Sequence, residues 1–134
     1  MSMPLQLTVL VENTARQRGL LAEHGLAFWI ETASRRILFD AGQTDLVSRN
    51  AATLGIDLGS VDAIVLSHGH YDHAGGLGDI LDSAHAAPVF AHPAALDEKY
   101  GRNADGGSRY LGIPSAVRHR LTGDSPFVPV GAPT

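Results

Sequence analysis

The stretch Ile64-Val65-Leu66-Ser67-His68-Gly69-His70-Tyr71-Asp72-His73-Ala74-Gly75-Gly76 decides how the rest of the chain is read. Val61 to Leu66 is a compact, apolar run with the length and β-branched content of a short buried strand. It leads directly into His68, His70, Asp72 and His73. Three imidazoles and a carboxylate are costly to gather in one place unless they share a partner, and a divalent metal ion suits their chemistry. The competing reading is an exposed polar loop that binds nothing.

The spacing explains how one loop serves two ions. Alternate side chains of an extended segment share a face, so His68 and His70 are expected on one ion, with Asp72 and His73, past the bend, on a second. The donor set suits zinc, and also manganese or iron. Two ions about 3.5–4 Å apart activate a bridging water and polarise a phosphoryl or carbonyl oxygen, which is metal-assisted hydrolysis. Gly69 gives room for a tight turn, and Gly75-Gly76 lets backbone approach the site. A helix starting just past the ligands would aim its amide groups at the site, which favours a phosphate-bearing small-molecule substrate.

Composition narrows the alternatives. With 134 residues, 44% hydrophobic and 18% charged, the chain reads as one soluble globular domain, residues 1–134. It has no cysteine, so any metal must be held by imidazole and carboxylate groups. A net charge of -4 with scattered Lys and Arg gives no basic stripe, so no nucleic-acid partner is expected. The N-terminus lacks a signal-peptide pattern, and no apolar run approaches the ~20 residues that span a bilayer. The expected location is cytoplasmic, with no membrane partner.

Working outward, Leu5 to Glu12 alternates around Leu5, Leu7, Val9 and Val11, the period of a strand. Leu26 to Thr32 and Arg36 to Phe39 read as a β-hairpin turning near Ala33-Ser34. Thr44 caps an expected helix through Leu54, which Gly55 ends. A second helix is expected over Leu77 to Ser83, a buried strand over Pro88 to Ala91, and a short helix over Ala94 to Lys99. Gly101 to Ser108 reads as a flexible loop. Residues 116–134 read as an irregular tail with two short strands broken by prolines. The order of elements predicts an α/β architecture, a mixed sheet with helices packed on it.

The strand leading into Ser-His-Gly-His-Tyr-Asp-His and then Ala-Gly-Gly resembles the HxHxDH motif of the metallo-β-lactamase superfamily. Leu10-Val11-Glu12-Asn13-Thr14, Glu23-His24-Gly25-Leu26 and Tyr110-Leu111-Gly112-Ile113-Pro114 are similar to its dihydropterin-ribofuranosylaminobenzene phosphate synthase-like branch. The likeness runs over roughly residues 5 to 115. It implies the N-terminal half of an αββα sandwich and a divalent metal centre of up to two ions held by His68, His70, Asp72 and His73. It also implies a hydrolase acting on a phosphoester or related small molecule through a metal-bound water. Asp72 is the candidate catalytic residue, with Tyr71 as a possible assistant. Phe39-Asp40-Ala41-Gly42 looks like the family's earlier aspartate motif, so Asp40 would orient a ligand histidine through its free ring N–H. His24 is placed by the same likeness near the metals.

Family members are usually about twice this length, within the range of one domain. Their later ligands find no counterpart here, because His85, His92 and His119 lie in no matching context. The alternative function is therefore a non-catalytic metal-binding half-domain that self-associates as a homodimer or pairs with a second chain.

Overall fold

The computed structural model describes residues 4–123 and 126–131. The chain begins with three antiparallel strands, β1 (Gln6–Val11), β2 (Ala27–Glu31) and β3 (Arg36–Phe39). At the turn between β2 and β3 the Thr32 hydroxyl oxygen accepts the amides of Ser34 and Arg35 at 3.3 and 3.0 Å. Helix α1 (Leu46–Thr53) follows, with the Thr44 hydroxyl accepting the Leu46 amide at 3.1 Å. It starts one residue later than Thr44 predicts, with Asp45 at its N-cap.

Beyond α1 the pairing becomes parallel. β4 (Ala63–Val65) lies beside β3, and β5 (Val89–Ala91) lies beside β4, with α2 (Tyr71–Ala74) and α3 (Leu77–Ser83) between them in sequence. After β5 come an antiparallel hairpin, β6 (Tyr100–Arg102) and β7 (Ser108–Tyr110), then α4 (Ser115–Thr122) and β8 (Phe127–Pro129). β8 pairs parallel with β5, which gives a six-stranded sheet in the order β1-β2-β3-β4-β5-β8.

The two faces of this sheet differ. Trp29, Leu38, Ile64 and Val89 are successive partners across β2 to β5, each 2% exposed or less. They form one core with Val47 and Ala51 of α1, Leu77, Ile80 and Leu81 of α3, and Val117 and Leu121 of α4. Helices on one side of a mixed sheet are the α/β arrangement that the order of elements predicts. Asn50 is buried in this layer with its amide satisfied, donating to the carbonyls of Leu10 and Leu21 and accepting the Leu21 amide.

On the opposite face Val9, Phe28, Phe39, Val65, Phe90 and Val128 form an unbroken row, one residue from each of the six strands. None of the six is fully buried: Val9 is exposed and the other five are half-buried. The alternation in β1 therefore marks this face. Leu5, Leu7 and Val9 are exposed, whereas Leu10 and Val11 join the core where the register slips between Val9 and Val11.

Three expectations are corrected. Gly101 to Ser108 is largely the hairpin of β6 and β7, because Asp105-Gly106 makes its turn, with Gly106 at φ +89° and the Asn103 amide on the Gly107 carbonyl at 2.7 Å. The start of the expected irregular tail, residues 116–122, is helical as part of α4, since Val117 and Leu121, four apart, are drawn into the core. The helix expected over Ala94 to Lys99 is a 3-10 turn, Pro93–Leu96. Of the tail, residues 124–125 and 132–134 lie outside the described residues.

Adjacent positions on β3 test the two-faced sheet. Leu38→Ala is expected to cost about 2–5 kcal/mol in urea unfolding, and Ile37→Ala, one residue away on the open face, less than half of that.

Candidate metal centre

The parallel pairing of β3 with β4 sets two strand ends side by side. Asp40 follows β3, and its amide donates to the Val65 carbonyl at 2.8 Å. It takes a left-handed backbone conformation, φ 59°, which aspartate tolerates better than most residues. Its side chain is fully buried. Oδ1 accepts the Ser67 amide at 2.8 Å, and Oδ2 accepts the Ser67 hydroxyl at 2.6 Å. Oδ2 also lies 2.7 Å from Nδ1 of His73.

From Ser67 the loop bends through His68 and reaches His70, whose φ of -98° and ψ of 151° place it at the N-cap of α2. Asp72 and His73, past this point, sit in the first turn of α2. This geometry brings His68, Asp72 and His73 together, with one possible ligand atom from each lying within 4.8 Å of the others. The His68 ring is 4.2 Å from that of His73 and 4.7 Å, edge-on, from that of His70. The nitrogens of His70 stand outside the three-residue cluster. His68 thus has both His70, its expected partner, and His73 beside its ring, and it is His73 that joins it and Asp72 in the three-residue cluster.

Asp72 Oδ2 lies 3.4 Å from His73 Nε2 and 3.1 Å from His24 Nε2. His24 is mostly exposed, at the rim of the cluster. His92 is turned away, its Nδ1 accepting the Ala94 amide at 3.0 Å.

Backbone contacts hold the loop in place. The carbonyls of Asp72 and His73 accept the amides of Leu26 and Ala41, and the Tyr71 amide donates to the Leu111 carbonyl. A Cβ on Gly69 would fall 1.9 Å from the Ala95 carbonyl oxygen, and one on Gly75 would fall 2.0 Å from that of Gln43. Both positions admit only glycine. The Glu23 carboxylate fixes the adjoining turn, accepting the amides of Gln43 and Thr44 and the Thr44 hydroxyl. Asn13 accepts the Gly25 amide at 3.2 Å. Sequence reasoning gave Glu23 and Ser67 no part, although both lie inside the motifs it singled out.

The helices next to the loop have four and seven residues, and the Tyr71 amide at the start of α2 donates to the Leu111 carbonyl.

The electrostatics favour metal-free, neutral imidazole at His68. Its pKa lies below the ordinary 6.5, first because burial disfavours the charged form and then because His73 and His70 repel a further positive charge, with Asp40 and Asp72 acting in opposition. With the folded-state value depressed, the unfolded chain takes up this proton first. The contribution is present above 6.5 and is lost as the pH falls through the lower folded-state value. Chemical denaturation of metal-free protein should show stability falling as the pH drops below about 6.5, with a shallower slope in His68→Gln.

Residues 21–133 match the family model described as the metallo-beta-lactamase superfamily. An uncharacterized protein of Methanocaldococcus jannaschii is 39% identical over 116 residues, which are 86% of this chain and 43% of that protein. The 7,8-dihydropterin-6-methyl-4-(beta-D-ribofuranosyl)-aminobenzene-5'-phosphate synthase of the same organism is 44% identical over 78 residues, 54% of this chain and 26% of the enzyme. A crystal structure described as a metal-dependent hydrolase of the beta-lactamase superfamily superposes with a TM-score of 0.72 at 29% identity, covering 96% of this chain and 43% of its own. The chain thus spans less than half the length of each of these relatives. With its mixed sheet, its helix layer and its histidine-aspartate loop, the chain belongs to the metallo-beta-lactamase superfamily.

Proposed function

We propose that this chain carries the metal-holding loop of a metal-dependent hydrolase that acts on a phosphoester or related small molecule. The observation that supports this reading best is the convergence of His68, Asp72 and His73, with His73 Nδ1 held by buried Asp40. Two imidazoles and a carboxylate form a donor set that fits zinc, and equally manganese or iron. With its Nδ1 engaged, His73 offers Nε2 to an ion beside Asp72. His70, edge-on to His68, is the fourth candidate ligand and the candidate for a second ion.

A divalent ion held there supplies a lowered pKa for bound water and polarisation of an ester oxygen. The chain's own residues position and orient. Asp72 faces the space that the ligand atoms enclose, and His24 at the rim presents Nε2 toward the same carboxylate. Asp72 is accordingly assigned a part in proton handling besides its part in holding metal. The phosphate-bearing substrate class is favoured by the relative named as a 5'-phosphate synthase.

Metal analysis of the purified chain, paired with hydrolysis of bis(p-nitrophenyl) phosphate, tests the proposal. It expects one to about two equivalents of metal per chain and turnover that His68→Ala and His73→Ala each abolish. Substoichiometric metal together with no turnover overturns it.

The incompletely buried apolar row from Val9 to Val128 favours a second reading, in which the chain is a non-catalytic metal-holding half-layer that self-associates through this face. Light scattering is then expected to give about twice the 14.1 kDa chain mass. Phe28→Asp should return the protein to the monomer, and a monomeric parent chain rejects this reading.

A further inference from the structure

Ser67 precedes the ligand histidines, and its hydroxyl lies between two groups. It donates to Asp40 Oδ2 at 2.6 Å, and its oxygen is 2.7 Å from Nδ1 of His68. The donor and acceptor count settles the direction of this chain of contacts. Asp40 meets only donors, namely the Ser67 amide, the Ser67 hydroxyl and the His73 ring N–H, so its carboxylate acts throughout as acceptor. The single hydroxyl proton of Ser67 goes to Asp40. Toward His68 the hydroxyl oxygen can then only accept, and His68 must supply the proton from Nδ1. The sequence of donors is His68 Nδ1–H to Ser67 Oγ–H to Asp40 Oδ2, which His73 Nδ1–H also reaches directly.

We propose that Ser67 is a positioning residue, extending the hold of Asp40 from His73 to His68 so that one buried carboxylate fixes the tautomer of both histidines and leaves both Nε2 atoms bare for metal. The inference rests on the reading of this loop as a metal centre but concerns the loop before any metal binds. A ring that is unconstrained exchanges its proton between the two nitrogens, and only the form bare at Nε2 is ready to ligate there. A hydrogen bond that fixes the ring favours binding by holding the competent form in place. The backbone anchor is separate, because the Ser67 amide bonds to the other carboxylate oxygen and survives any side-chain change. Ser67 is itself exposed, so removing its hydroxyl opens no cavity.

The test uses the full chain, metal-free and labelled with 15N-histidine, in Ser67→Ala and Ser67→Thr variants at about pH 8, where unperturbed imidazole is neutral. Two-bond and three-bond nitrogen-proton correlations distinguish the tautomers. In the parent chain His68 and His73 are both expected to carry the proton on Nδ1. In Ser67→Ala the His68 pattern should move toward the mixed tautomers of a free ring while His73 is unchanged, and Ser67→Thr should restore the parent pattern. Zinc affinity, measured by competition with a chromophoric chelator, should fall about 10–100-fold in Ser67→Ala and recover in Ser67→Thr. A His68 pattern that is the same in Ser67→Ala as in the parent overturns the proposal. If the parent chain fails to bind zinc, the metal-centre reading fails, and the tautomer result still decides the role of Ser67.

Discussion

A buried carboxylate without enough donors around it is among the costliest things a small domain can contain, and Asp40 escapes that cost only by a particular alignment of two strands. β3 and β4 run parallel and in register, so the residue after Phe39 arrives beside the start of the loop after Leu66. There Asp40 receives one amide, one hydroxyl and one imidazole N–H. Sheet register, backbone twist at Asp40 and ring orientation at His73 are therefore aspects of a single constraint. A slip of one residue between β3 and β4 would turn Asp40 to the wrong face and remove all three contacts at once.

The ligand loop is held as much by backbone as by side chains. Segments 24–26 and 40–44 form a cradle in which the carbonyls of Asp72 and His73 are already bonded, and close approach at Gly69 and Gly75 excludes any side chain. Glu23 and Asn13 stiffen the cradle from outside. These contacts place ligating groups on a rigid support before any ion arrives, which is the condition for tight and specific metal binding. They also give physical content to the motifs around residues 10–14 and 23–26, whose polar members work on the loop's surroundings and not on metal.

Much of this was legible in the sequence because it depends on local pattern. The β2/β3 hairpin, α3 over Leu77 to Ser83 and the strand before Ser67 were readable from periodicity and turn residues. The candidate ligand residues stand out by their spacing. The nearness of His73 to His68 does not, since the spacing sets Asp72 and His73 apart as a separate pair past the bend, whereas the first turn of α2 brings both into one cluster with His68. The hairpin of β6 and β7 was hidden by its glycines, and α4 by the prolines that flank it, because both are decided by tertiary contacts such as those of Val117 and Leu121. Alternation in β1 holds for Leu5, Leu7 and Val9 but not for Val11, which the register slip carries into the core, and periodicity does not say whether anything lies against the face.

That face has a mechanical relation to the metal centre. Phe39 and Val65, neighbours in its row, come directly before Asp40 and two residues before Ser67. Whatever rests on the row bears on the strand ends from which the carboxylate and the ligand loop project. An occupant of the sheet face and an ion at the candidate metal centre would thus act on the same two strand ends, and any influence of one on the other would be returned in equal measure.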